Sequence, residues 1–398
     1  MNNIKLLHTS DWHLGQNFMG KSRLEEHEAF LSWLVELIKE KQIEVLVVAG
    51  DIFDTGTPPN YALETYYNFL KKLSSIDTLN TTVITAGNHD SISTLKAPKQ
   101  LLEALNVQVI TSGDEEENEV IQIKKDDELQ AIVCAVPFLR DSVVRKAISG
   151  QTVNDKESSL NDGIKQHYRD VYEKAIELIK KDNLPIIATG HLTTVGSRTS
   201  ESERDIYIGG TLDIGSDFLG KYFDYVALGH LHINQTVGVD HVRYSGSPIP
   251  LSFSESNQKK KVNIVLFEND TVSVEELEIP LYRKLQVLKG NLEAVKKELE
   301  NIVDKSTWCE IHLKDENPMY ANQAIREYAD ELELIILAIK IDRTQKKLEA
   351  KELEVTSLDE LTPTEVFQRR LDVEELEDIE FINELTLNFK KVVEKVSI

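Results

Sequence analysis

Positive charge is scarce in this chain: 398 residues carry 45 Lys and Arg against 68 Asp and Glu, a formal net charge of −23. A surface this acidic repels a polyanion, because backbone binding to nucleic acid uses Lys and Arg to replace condensed counterions. Cysteine is nearly absent. The two present, Cys134 in AIVCAV and Cys309 in TWCEI, lie in apolar strand-like runs, which reads as small core residues in a reducing compartment rather than a disulfide or redox pair. No apolar run approaches the roughly 18 residues of a membrane-spanning helix, and MNNIKLLHTSDWH has no basic segment followed by an apolar stretch. The expectation is a soluble cytoplasmic protein with no membrane partner. A G-x-x-x-x-G-K-[ST] loop is also missing, so no nucleotide is expected on this chain itself.

What is present is concentrated at the ends of apolar runs. IKLLHTS precedes Asp11-Trp12-His13, VLVVAG precedes Asp51, TVITAG precedes Asn88-His89-Asp90, PIIATG precedes His191, and YVALG precedes His230-Leu231-His232. Runs of four to six residues rich in Val and Ile and stopped by Gly read as buried strands. Polar groups are therefore delivered to one end of a sheet, where open α/β folds place their chemistry. One such His would ordinarily be a satisfied polar residue, and one Gly-Asp a cap or turn. Five coincident endings instead supply an oxygen and nitrogen donor set without thiolate, suited to Mn²⁺, Mg²⁺, Fe²⁺ or Zn²⁺. Seven candidate ligands exceed the needs of one ion that keeps positions open, so two ions are expected. Two ions about 3.5–4 Å apart need a bridging carboxylate, and Asp51, ending the central run with two oxygens, is the natural bridge.

These five strings, Asp11-Trp12-His13, Gly50-Asp51, Gly87-Asn88-His89-Asp90, Gly190-His191 and Gly229-His230-Leu231-His232, resemble the signatures of the calcineurin-like metallophosphoesterase superfamily, in order and complete. The longer strings HTSDWHLGQNFMGKSR, VVAGDIFDTGTPPNYA, RDIYIGGTLD and HVRYSGSPIPLSF resemble its double-strand-break-repair nuclease branch, from residue 4 to about 260. The resemblance implies an α/β fold, a four-layer αββα sandwich, and one metal on Asp11, His13, Asp51 and His232. The other metal falls on Asp51, Asn88, His191 and His230, with Mn²⁺ the preferred ion and Mg²⁺ possible. It implies that His89 is catalytic, facing the scissile phosphate, with Asp90 orienting its other nitrogen. It further implies 3′ to 5′ exonuclease action on double strands and endonuclease action on single strands and hairpins, in DNA repair, recombination and replication. At the fourth position of Gly-Asp-Ile-Phe-Asp, archaeal and eukaryotic relatives usually carry His. Asp54 stands here, as in the bacterial branch, and is expected either to hold a metal ligand or to cap the helix after Thr57-Pro58.

Around the motifs, helices are expected from about Arg23 to Lys41, from Asn60 to Leu73 and over 157–181, with a hairpin over 119–124 and 130–136. The loop Gln16–Arg23 carries Lys21 and Arg23 beside the first motif and reads as a phosphate-contacting loop. The irregular stretch after His191 offers Arg198 and Arg204 as DNA contacts. Tyr244 is either near the site or in the core.

Three domains are expected: a nuclease domain over 1–280, a capping domain over 281–345 with a strand-helix-strand-helix-strand pattern, and a charged linker with C-terminal helices over 346–398. In the last, Thr362-Pro363-Thr364-Glu365 is a capping box, and Ile382, Leu385, Phe389, Val392 and Val396 recur at helical spacing. The resemblance assigns that tail to an ATPase of the structural-maintenance class, in a heterotetramer of two chains of each kind that acts on DNA ends and hairpins. The acidic residues cluster away from the motifs, as in GDEEENE (113–119) and LDVEELEDIE (371–380). The charge therefore implies weak, salt-sensitive DNA binding by the chain alone, with the partner supplying most of the hold.

Overall fold

All five apolar runs are strands in the computed structural model, and three of them, Val45–Ala49, Ile186–His191 and Tyr225–Gly229, are buried along their whole length. The structure describes residues 3–341, apart from 98, 115, 145–152, 180–183, 201, 204–213, 269–270 and 316, together with Phe367, Leu385, Asn388 and Phe389.

Strand β1 (Asn3–Thr9) leads into a short ribbon, β2 (Asn17–Phe18) and β3 (Lys21–Ser22), and then helix α1 (Leu24–Lys41). The alternation continues through β4 (Val45–Ala49), α2 (Asn60–Leu73), β5 (Thr81–Thr85), the short α3 (Ile92–Lys96) and α4 (Lys99–Glu103), and β6 (Val107–Ile110). Next come β7 (Val120–Lys125), β8 (Glu128–Cys134), α5 (Asp141–Val144), α6 (Val153–Leu178), β9 (Ile186–His191) and α7 (Ser216–Tyr222). Strands β10 (Tyr225–Gly229), β11 (Gln235–Val237), β12 (Val239–Tyr244), β13 (Lys261–Glu268) and β14 (Thr271–Glu278) complete the larger domain.

One sheet has the order β14-β13-β1-β4-β5-β6 and the other β11-β12-β10-β9-β8-β7. Side chains alternate across a strand, so neighbouring residues serve different layers. Leu6, Val47 and Val83 of the first sheet share a core with Val133, Ile187 and Ala227 of the second. Leu7, Leu46 and Val48 face the other way, onto Phe30, Leu34 and Phe69 of α1 and α2. Ile132, Ala188 and Val226 turn outward onto Ile164, Tyr168 and Val171 of α6. The result is four layers, helix, sheet, sheet, helix, each buried aliphatic side chain contributing roughly 1.5–3 kcal/mol. The hairpin turn at Asp126 and Asp127 has φ of 51° and 62°, the left-handed pair of a two-residue connection. The β13–β14 hairpin stood out in no sequence pattern: β13 pairs antiparallel with β1 and β14 is a half-exposed edge.

A separate α/β module follows: β15 (Leu285–Gly290), α8 (Leu292–Glu300), β16 (Trp308–Leu313), α9 (Pro318–Glu331) and β17 (Ile335–Ile341), with sheet order β15-β16-β17. It has its own core of Leu288, Val295, Leu299, Ile311 and Ile325. It is anchored to the larger domain by Trp308, which stacks on Phe18 at 5.8 Å and 6°, and by Arg283, which donates to Glu25 and Glu26 at 3.1 Å each.

The chain divides into Met1–Lys340 and Ile341–Ile398. Most of the second unit, including the capping box at Thr362, Ile382, Val392 and Val396, lies outside the described residues. There the rings of Phe367 and Phe389 stack at 3.9 Å and 3°. Cys134 and Cys309 are both buried and free. Among the described residues no helix is long and apolar enough to cross a membrane.

Candidate metal centre and active site

The loops that follow β1 and β4 are stitched together by backbone bonds: Asp11 N–H donates to Gly50 O at 3.0 Å, His13 N–H to Asp51 O at 3.0 Å and Leu14 N–H to Ile52 O at 2.9 Å. Four candidate ligands sit in left-handed backbone, Asp11 at φ 52°, His13 at 48°, Asp51 at 48° and His230 at 92°. Such conformations cost energy in non-glycine residues and concentrate where the surroundings hold a site in shape. Gly50 has φ 85°, and a Cβ there would overlap the His191 ring. A Cβ on Gly87 would likewise overlap Asp51. Both glycines let backbone approach the centre at the closest range.

The donors fall into two buried groups, Asp11 with His13 and His232, and Asp51 with His191 and His230, whose ligand atoms lie within 4.8 Å of one another in each group. Asp51 lies between them: its Oδ2 is 3.2 Å from His191 Nε2 and 3.7 Å from His13 Nε2. Asn88 Oδ1 is 2.9 Å from the same His191 nitrogen. His13 Nε2 is buried without a hydrogen-bond partner, an orphaned lone-pair atom aimed into a carboxylate-lined centre. This donor set fits divalent cations, because two buried carboxylates, an amide oxygen and four imidazoles converge without thiolate.

The electrostatics show how strongly these groups act on one another. Burial pushes the Asp11 carboxyl up, only partly offset by His191 and His232. Burial alone would lower His191, but the charge and hydrogen bond of Asp51 raise it to about 9. Burial, with His191 beside it, holds His230 well below the ordinary histidine value.

Around the donors, Asp54 Oδ1 lies 3.2 Å from His13 Nδ1, so it addresses a candidate ligand; α2 instead begins after Pro59 with no side-chain cap. His89 Nδ1 is 2.7 Å from the Asp54 carbonyl, its ring lies 4.9 Å from that of His13 in an edge arrangement, and its N–H donates to Asp51 Oδ1 at 2.9 Å. The expected pairing of Asp90 with His89 is therefore corrected. The Asp90 carboxylate accepts from the N–H groups of Ile52, Phe53 and Gly87 at 3.1, 3.0 and 2.8 Å, tying two ligand loops together, and burial beside Asp51 lifts it to about 6. The backbone of Asp54 takes the place expected for Asp90.

Arg23 is a second correction. It is fully buried, bonded to Glu26 at 2.7 and 2.6 Å and to Pro250 O at 2.8 Å, with Phe18 and Trp308 against its guanidinium. With its donors engaged inside the fold, it does not present a cation to DNA. Lys21 is exposed on β3. Arg198 is exposed, its backbone clamped by both ends of the Gln235 amide at 2.9 and 2.8 Å. Arg204 lies outside the described residues. Trp12 and Phe18 are buried. Tyr244 is core, its hydroxyl donating to Leu192 O at 2.7 Å and so pinning the chain just after His191.

Sequence reasoning missed a buried network behind His232. Ser202 Oγ is 2.6 Å from His232 Nδ1 and also bonds Glu255, while Glu203 accepts from His232 N–H at 2.7 Å. Lys260 donates to His232 O at 2.9 Å and to Glu255 at 2.5 Å. Burial would raise Glu255, but His232 and Lys260 outweigh it and hold the carboxyl well below its usual range. Nothing in SFSES or the lysines after it marks these residues; only the return of the chain to the strand ends brings them there.

With this geometry established, residues 4–234, more than half of the chain, match the calcineurin-like phosphoesterase family, and residues 281–375 match the type 5 capsule protein repressor C-terminal domain. The SbcD component of nuclease SbcCD from Escherichia coli K12 is 40% identical over 385 residues, covering 94% of both chains. The protein of the same name from Bacillus subtilis is 35% identical over 264 residues, 66% of each chain. That from Rhodobacter capsulatus is 35% identical over 260 residues, 63% of this chain and 64% of its own. The family match over more than half of the chain and the similarity over nearly the full length of the Escherichia coli relative lead to one conclusion: this chain belongs to the calcineurin-like phosphoesterases, in the family of SbcD nuclease components.

Proposed function

We propose that the chain is the nuclease subunit of a DNA-end-processing complex and hydrolyses DNA phosphodiesters at a two-cation centre. The observation that carries this is the Asp51 carboxylate between two buried His and Asp groups, at 3.2 Å from His191 and 3.7 Å from His13. One ion would be held by Asp11, His13, Asp51 and His232 and the other by Asp51, Asn88, His191 and His230, with Mn²⁺ preferred over Mg²⁺. When bound, the ions supply Lewis acidity, neutralising the anionic diester and making hydroxide available near neutral pH.

The chain's own residues do the rest. With its Nδ1–H donating to the Asp54 carbonyl, His89 is left with Nε2 as the ring atom that exchanges a proton, suited to protonating the leaving 3′ oxygen. Asp54 and Ser202 meet the Nδ1 atoms of His13 and His232, fixing both ring orientations. Asp90 keeps the β4 and β5 loops at fixed separation through its three backbone bonds.

The finer reading follows the family: 3′ to 5′ degradation of double-stranded ends, and endonuclease action on single strands and hairpins, in DNA repair, recombination and replication. The partner is the SbcC ATPase, gripped by the tail helices of 346–398 in a complex of two chains each. ATP acts through that partner in the cytoplasm, on nucleoid DNA. The net charge of −23 supports the division of labour, since a chain this acidic holds DNA weakly by itself. The test is cleavage of a hairpin-ended duplex with and without the ATPase, in Mn²⁺ and in Mg²⁺, beside a small phosphate ester. Preferred cleavage of DNA, stimulated by the partner, is expected; exclusive turnover of the small ester overturns the nuclease reading.

A further inference from the structure

A cleft of about 360 Å³ opens beside the candidate centre, lined by His13, His89 and His232 and also by two residues of the capping module, Glu310 and Lys340. Lys340 is the one Lys or Arg among its described lining residues. Three other cations close by are engaged elsewhere: Arg23 is enclosed with Glu26, Lys260 is buried on Glu255, and Arg283 is bound to Glu25 and Glu26.

Lys340 is not an ordinary surface lysine. Glu310, 3% exposed on β16, is 2.8 Å from Lys340 Nζ through Oε2 and 2.7 Å from His312 Nε2 through Oε1. The lysine side chain itself remains 56% exposed. An ammonium has three donors, and the pair with Glu310 uses one, which leaves the others to a ligand while the carboxylate limits where the charge can wander. A buried carboxylate on the wall of a cleft that admits a polyanion would repel it, and the Lys340 ammonium offsets that charge.

We infer that Lys340 is a substrate-contacting residue: its ammonium, positioned by Glu310, binds a backbone phosphate of the DNA strand next to the scissile one. The capping module thereby distinguishes a polynucleotide from a small phosphodiester, which has no second phosphate to offer. This rests on the nuclease reading proposed above and assigns a specificity determinant to it.

The experiment uses the full-length protein with Mn²⁺, as wild type, Lys340→Met and Lys340→Arg. A labelled duplex and bis(p-nitrophenyl) phosphate are compared across a salt series. For Lys340→Met the expected result is a roughly tenfold rise in KM for the duplex, with a smaller change in kcat. The slope of log kcat/KM against log salt should become shallower by about 0.7–0.9, the loss of one phosphate contact. The preference for duplex over small ester should fall about tenfold with Met, and Lys340→Arg should restore the slope. A wild-type salt slope in Lys340→Met overturns the inference, whatever happens to the rate. Wild-type protein that cuts no DNA overturns the nuclease reading and this inference together, whereas a wild type that cuts DNA and an unmoved slope overturn the inference alone.

Discussion

Asp54 reaches across to His13: its Oδ1 lies 3.2 Å from Nδ1 of an imidazole whose Nε2 points to Asp51 Oδ2 at 3.7 Å. A carboxylate on the far nitrogen fixes the tautomer and the ring plane of a metal-binding histidine and raises its basicity. Asp54→Ala is expected to lower Mn²⁺ affinity about 10–100-fold, measured by calorimetry on the metal-stripped protein. Unchanged metal content, affinity and rate would remove the role.

His191 carries a consequence for pH. Its folded value is raised from 6.5 to about 9 against the effect of burial, because Asp51 stabilises the imidazolium. Binding a cation must expel that proton. Mn²⁺ affinity is therefore expected to rise with pH up to about 9 and to flatten above. Calorimetry at pH 7.5 in buffers of different ionisation enthalpy should show at least one proton released. In metal-free protein the stabilisation works in the opposite direction: it is complete below 6.5 and lost as pH rises through about 9. A melting temperature of the metal-free form that does not fall over this window contradicts the assignment.

His89→Ala should leave the metal content intact and reduce DNA cleavage about 10²–10⁴-fold, the usual range for a positioned proton donor. Wild-type rates with metals bound would place the proton transfer on another group.

Asp90→Ala is expected to act first on stability. Three backbone N–H groups lose their acceptor, at a cost on the order of 3 kcal/mol, read as a lowered urea midpoint. A variant as stable as wild type but with a collapsed rate would return Asp90 to the proton-transfer chemistry.

Removal of residues 360–398 should abolish co-purification with the ATPase while metal-dependent cleavage stays measurable. An unaffected complex sinks the tail assignment.

Much of the site was legible because it is written locally. An apolar run long enough to be a strand, a glycine at its end and a polar residue after it are adjacent in sequence, so Asp11, Asp51, Asn88, His191 and His230 could be located without knowing how the strands pair. The helix expected roughly from Asn60 to Leu73 is found there for the same reason, since helical spacing is a short-range property. The errors share the opposite character. Arg23 and Lys21 look alike beside a metal motif, yet one is buried under Trp308 and the other faces solvent. Asp90 follows His89 directly, but its side chain turns to Ile52 and Phe53 and leaves His89 to Asp54.

The sequence by itself determined which residue types stand at the strand ends, and with them the donor chemistry, the family and the acidic character. Only the tertiary structure decided which partners those side chains take. Glu255 and Lys260 behind His232, Asp54 on His13, and Lys340 in the lining of the cleft are brought to the centre by the packing of two sheets and the second α/β module. A hydrogen bond depends on distances of about 3 Å between groups far apart along the chain, and no local pattern encodes such a distance.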